Sequence, residues 1–386
     1  MINKVKARDC FLILVLLSVS RFPFLGNLDI YIIIISSIIL LNELTIGFRS
    51  LLNSKKFLFW ISLLIIIFSI HQYNLGLISI PASINFILKI LIAFYFAKLI
   101  GINFKYRYFD VIYVFSFISI FGYLLNILGF NLGFEIGRHY SLIFYDSLIE
   151  PGDIIRNNGP FWEPGAFAGY IAISFLLFIE EPSYILKNKQ KSIIILIALI
   201  TTFSTMGYLV VVLLIFLLLT KNTKKLKLLL ILPFFIIGSF YLTTLDFIGL
   251  KVNEQFEEAI ESDENKILFS RFGSVVIDYY YFKKNPLTGN GLPMQTRYSD
   301  HIDIFEEEDL GGFGNGFSSF IASFGILFVI IFFIAAANNL YKSRKNKIYF
   351  VLILTLILFG EQFQNFPFFW ALLFINENSS FNYSTQ

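Results

Sequence analysis

Cysteine is nearly missing from this chain. Cys10 is the one thiol in 386 residues, which excludes a disulfide framework and a cysteine-based metal site. Histidine is scarce as well: His71, His139 and His301 are the only imidazoles available for acid–base work. Charged residues make up 15% of the chain, against about 25% in soluble proteins. No internal repeat is visible, so the inverted-repeat pattern of many transporters is lacking. The Lys and Arg clusters are short, which argues against a nucleic-acid surface.

Apolar residues are abundant instead, at 56%, with a mean hydropathy of +0.73. Long runs such as Ile32–Leu41, Phe57–Ile70 and Ser192–Ile200 are continuous rather than alternating, which predicts helices and not barrel strands. The N-terminus, MINKVKARD before Cys10–Ser18, resembles a signal peptide without a small-x-small cleavage site and reads as a retained first helix.

These runs predict an all-α polytopic integral membrane protein forming a single multi-span domain, 1–386, with about twelve crossings, or eleven if 192–220 is one span. The spans fall near 10–26, 28–43, 57–72, 80–100, 109–130, 165–180, 228–245, 313–336, 348–360 and 366–376, plus two short helices in 192–220. Each half of 192–220 would cover only about 22 Å of a roughly 30 Å core. Lys187–Lys191 and Lys221–Lys227 flank it, so the chain must go out and return if both clusters are cytoplasmic. The polar break Ser204-Thr205-Met206-Gly207 is the expected place to reverse. The short basic loops then share the side of the N-terminus, both termini are cytoplasmic, and two long loops, 131–164 and 246–312, face outward.

Chemistry concentrates in those loops. Arg156–Tyr170, RNNGPFWEPGAFAGY, places a cation, a carboxylate and turn residues at the start of an apolar segment. Glu163 precedes Pro164-Gly165, so a helix N-cap and a functional carboxylate are equally good readings of it. Arg138 stands beside His139, a candidate base. In the second loop, Val252–Glu264 reads as an acidic surface helix. Ser270–Lys284 has helical spacing, with Ser270 as N-cap. Its Phe272, Val275, Val276, Tyr279 and Phe282 form a broad apolar face for the membrane or the bundle, while Arg271, Ser274 and Asp278 share another. Asn285–Gly291, NPLTGNG, ends that helix in a tight turn. Asp300–Asp303 and Glu306–Asp309 show no regular metal-ligand spacing.

In order and spacing, Arg156–Gly165, Thr202–Tyr208, Ser270-Arg271-Phe272, Asn285–Gly291 and Gly314-Asn315-Gly316-Phe317 resemble the O-antigen polymerases and the related O-antigen ligases. That resemblance implies a metal-independent glycosyltransferase of the bacterial inner membrane that needs no cofactor. It would join lipid-linked repeat units into O-antigen or capsular polysaccharide and release polyprenyl pyrophosphate. Its partners would be a polyprenyl-pyrophosphate-linked donor and acceptor, the bilayer, a chain-length regulator and a flippase. Arg156 and Arg271 would clamp the diphosphate, which suits the planar guanidinium. Glu163 or His139 would be the base, with Asn158, Trp162, Arg138, Tyr140, Asn290 and Asn315 contacting substrate. A ligase, or a polysaccharide or solute transporter, is the alternative.

Overall fold

In the computed structural model the described residues are 2–18, 28–45, 48–75, 80–130, 133–136, 138–150, 154–220, 271–300 and 315–375. The expected span at 228–245, the helix at Val252–Glu264, Ser270, His301 and the acidic run Glu306–Asp309 lie outside them, as do Arg21 and Pro23.

The chain opens with helices α1 (Ile2–Leu17), α2 (Leu28–Thr45), α3 (Arg49–Leu52) and α4 (Lys55–Leu75). Helices α5 (Ile80–Ile100) and α6 (Phe104–Ile127) meet at a 3-10 turn, Gly101–Asn103, where Gly101 takes φ 63°. Strands β1 (Phe134–Ile136), β2 (His139–Leu142), β3 (Tyr145–Glu150) and β4 (Ile154–Gly159) follow. Then come α7 (Pro164–Leu176), α8 (Pro182–Lys187), α9 (Lys189–Thr201) and α10 (Thr205–Thr220). After the second loop come α11 (Arg271–Lys284), α12 (Met294–Arg297), α13 (Gly316–Leu340), α14 (Arg344–Gly360) and α15 (Pro367–Ala371).

This architecture corrects the all-α reading with about twelve crossings. Among the described residues three helices are long and apolar enough to cross a membrane: Lys55–Asn74, Ile80–Ile127 and Gly316–Leu340. The expected span at 165–180 is α7, whose 13 residues reach about 20 Å and are buried along almost their whole length. The expected last span, 366–376, contains only the five-residue α15. Apolar runs of 10–14 residues mark buried core helices as readily as bilayer segments, which is why hydropathy alone overcounted. The twelve-pass inner-membrane placement with both termini cytoplasmic rested on that count and falls with it. The polymerase function, and the ligase and transporter alternatives, presupposed the same scaffold and are withdrawn.

The second correction is the sheet. Residues expected as an irregular outer loop form a four-stranded antiparallel meander, β1-β2-β3-β4. Leu142 pairs with Tyr145, so a two-residue turn, Ile143-Phe144, joins β2 to β3. Tight hairpins usually announce themselves with Asn-Gly or Asp-Gly, and this one does not. The meander leans on α6: Asn126 Nδ2 donates to Tyr145 Oη (2.9 Å) and Ser147 Oγ (2.7 Å), and Asn157 Nδ2 to Ser119 Oγ (3.2 Å).

The 192–220 run does divide, into α9 and α10, with the break at Thr202–Ser204, two residues ahead of the expected one. Phe203 turns the chain with φ 48°. Near the C-terminal end, α13 is interrupted at Gly325 (φ 75°, ψ 164°). The carbonyls released there are taken up by the NPLTGNG turn: Asn290 N donates to Ala322 O (2.8 Å) and Gly291 N to Ser323 O (3.1 Å), while Ile326 N donates to Pro286 O (2.9 Å). A broken helix in an apolar setting requires such replacement partners.

Candidate functional site

The sheet assembles the most concentrated polar cluster. Register places His139, Leu148 and Arg156 in one row and Ser141 opposite Asp146, so all five share a face. A bulge between Asp146 and Ser147 leaves Asn158 without a cross-strand mate and turns it toward Asp146. Asp146 Oδ1 lies 2.9 Å from His139 Nδ1 and accepts a hydrogen bond from Asn158 Nδ2. Asp146 and Asn158 are fully buried and His139 is 6% exposed. Ser141 Oγ and Asn158 Oδ1 are also buried, with no hydrogen bond among the described residues. A carboxylate on Nδ1 holds an imidazole in the tautomer that leaves Nε2 as the base, and it stabilises the imidazolium that forms.

Arg156 borders this cluster but faces α9. Its Nε donates to Thr202 O (3.1 Å) and its Nη2 to Phe203 O (3.2 Å). The guanidinium therefore caps the C-terminal end of α9, where unsatisfied carbonyls and the helix dipole both favour a cation. Arg271 opens α11, and its side chain lies outside the described residues. Glu163 occupies the N-cap position of α7 in extended conformation (φ −149°, ψ 156°) without a side-chain capping bond. Trp162 Nε1 instead donates to Glu361 Oε2 (3.3 Å), and its ring packs 4.4 Å from that of Phe366.

The other expected substrate contacts are dispersed. Arg138 is exposed in the β1–β2 turn, and Tyr140 sits on the opposite sheet face from His139. Asn315 caps α13 through Oδ1 and Ser318 N (3.0 Å). Asn290 Nδ2 donates to Tyr281 O (2.8 Å) and Ala322 O (3.2 Å), tying the NPLTGNG turn to α11 and α13.

A second buried cluster joins α11, α12 and α13. Asp278 accepts from Tyr298 Oη (2.9 Å) and Ser318 Oγ (2.5 Å), and Arg297 Nη1 donates to Ser319 Oγ and Ser323 Oγ, both at 2.9 Å. Burial pushes the Asp278 carboxyl up to about 6, with Arg297 and the two hydroxyl donors opposing the rise. The buried face of α11 is thus Ser274, Ile277, Asp278 and Tyr281, whereas Val276 and Tyr279 of the expected apolar face are exposed. A network of hydroxyl donors around one carboxylate outweighs hydrophobic patterning here.

Asp146, Ser141 and Arg297 were not expected in these clusters. The available signal for Ser141 was the period-two alternation of His139-Tyr140-Ser141-Leu142, which a helical reading of the chain passes over.

The helix-rich domain, with its small sheet and buried polar network, is not the many-span scaffold that the O-antigen polymerase resemblance implies. No family model matches the chain, and the comparisons with curated proteins and with solved structures found no match.

Proposed function

We propose that this chain is a metal-independent group-transfer enzyme in which His139 takes the proton of an acceptor hydroxyl. The observation that carries this reading is the buried His139–Asp146 pair, 2.9 Å apart, with Asn158 on the same carboxylate oxygen. Asp146 orients the ring, Asn158 fixes Asp146, and Ser141 and Asn158 offer buried polar atoms beside the base. Arg156, through its hold on α9, is a positioning residue that fixes β4 and with it Asn158.

The donor class in this reading is a glycan on a polyprenyl pyrophosphate, and the three membrane-length helices support a lipid-linked substrate. Joining repeat units into polymer is not part of it. The acceptor oxygen forms a bond to the anomeric carbon, the bond from that carbon to the diphosphate oxygen breaks, and the acceptor proton passes to His139. Pyrophosphate-linked lipid leaves with the electron pair.

The test uses the full chain in lipid nanodiscs supplied with polyprenyl-pyrophosphate-linked oligosaccharide and a free glycan acceptor. Release of polyprenyl pyrophosphate is measured. His139→Ala should reduce it by about 100-fold or more, the usual contribution of a general base. No release by the unaltered chain, or unchanged release by His139→Ala, overturns the proposal.

A further inference from the structure

A cleft of about 550 Å³ opens between the start of α4 and the end of α13, and its lining includes no residue of either polar cluster. We infer that it is a binding site for the head group of an anionic phospholipid. Its lining is graded. Lys55 and Lys56, the first residues of α4, and Asn338 and Asn339, in the last turn of α13, form the polar part. One turn further along each helix, about 6 Å by helical rise, the lining becomes Trp60 and Ala335. Charge at the helix ends and an aromatic floor one turn deeper match an amphiphile with a negative head and an apolar body.

The polar part is built rather than loose. Lys56 Nζ donates to Asn339 Oδ1 (2.7 Å), and Asn339 Nδ2 donates to Leu372 O (3.0 Å), which fixes the amide between helix and C-terminal turn. Trp60 is 2% exposed and held edge-on by Phe328, with ring centroids 5.7 Å apart. The first turn of α4 adds the positive end of its dipole to the two ammonium groups, and among the described residues no acidic side chain lines the cleft. Both helices that frame it are among those long and apolar enough to cross a membrane. In a bilayer their ends would lie at the depth of the lipid phosphates. A cleft of this volume with an apolar floor exceeds what inorganic phosphate fills, so the phosphate of a lipid is the occupant that matches both parts.

The experiment is native mass spectrometry of the full chain released from nanodiscs containing equal phosphatidylglycerol and phosphatidylcholine. Retained phosphatidylglycerol should fall about 30-fold in Lys55→Gln/Lys56→Gln, at roughly the surface contribution of two lysines. Lys283→Gln, an exposed lysine on α11, should leave it unchanged. Ala335→Phe fills the floor without altering either lysine and should also displace the lipid, which keeps the test open if the double variant misfolds. Equal retention of both lipids, indifference to both variants, or displacement by millimolar inorganic phosphate alone would overturn the inference.

Discussion

Gly325 and Leu287 meet where α13 breaks: any Cβ on Gly325 would collide with the Leu287 carbonyl, and Gly325 itself sits at φ 75°. Gly289 makes the reciprocal approach, its own φ being 77° and its Cβ position falling on the Ser323 carbonyl. Two glycines therefore permit a turn and a broken helix to exchange hydrogen bonds at backbone contact. Gly325→Ala combines left-handed strain with a backbone clash and should cost about 3 kcal/mol or more. Thermal unfolding of the purified chain should show a large drop for this variant and for Gly289→Ala. Gly129→Ala has the same backbone sign but open space around it, and should show only the smaller strain effect.

The Asp146 carboxylate serves two partners at once. Asp146→Ala leaves the buried His139 and Asn158 without their shared acceptor, at a cost of about 1–3 kcal/mol for each unsatisfied group. Asp146→Asn keeps the shape but can present Nδ2 to the ring, which reverses the tautomer of His139. Nitrogen-15 shifts of the His139 ring should move in Asp146→Asn. Unmoved shifts would show that Asp146 does not set the proton position.

Arg156 holds the end of α9 through two separate carbonyls 3.1 and 3.2 Å away. A lysine presents one ammonium in place of a planar fork and cannot reproduce both bonds. Arg156→Lys should therefore recover less than half of the stability lost in Arg156→Ala, a loss of about 1–3 kcal/mol. Hydrogen exchange at Phe203 and Ser204 should speed up in both variants. Full rescue by lysine would argue against the fork.

Asp278 gives the fold a pH dependence with a definite sign. Its carboxyl is raised from 3.8 to about 6 in the folded chain. Between those values the folded state binds more protons than the unfolded one, so stability should fall as pH rises from about 4 to about 6 and then level off. The full effect is of order 3 kcal/mol. Asp278→Asn should flatten that slope in unfolding measurements across pH 4 to 7; a slope unchanged by the substitution would assign it to other groups.

Much of the helical content was legible in the amino-acid order. Pro164 marks the start of α7, Asn285–Gly291 ends α11, and a helix–helix junction lies inside 192–220, within two residues of where polarity suggested it. Strong local signals set these boundaries: a proline at a first turn, clustered glycines, and a polar break in an apolar run. The meander was not legible because its strands are short and its β2–β3 turn is Ile143-Phe144, without the residues that usually mark a hairpin. The buried face of α11 was misjudged for a different reason, since helical periodicity ranks faces by hydrophobicity and cannot see a carboxylate that three-dimensional partners have satisfied.

By itself, then, the sequence determined that the chain is helix-rich and apolar, and where several of its helices break. Only the tertiary structure decided that three of those helices have membrane-crossing length and composition among the described residues. It also decided that His139 meets Asp146, and that Arg156 turns to α9. The reason is physical: hydropathy and propensity act over a few neighbouring residues. Pairing across a bulged sheet and capping of a helix 46 residues away depend on packing that closes those distances.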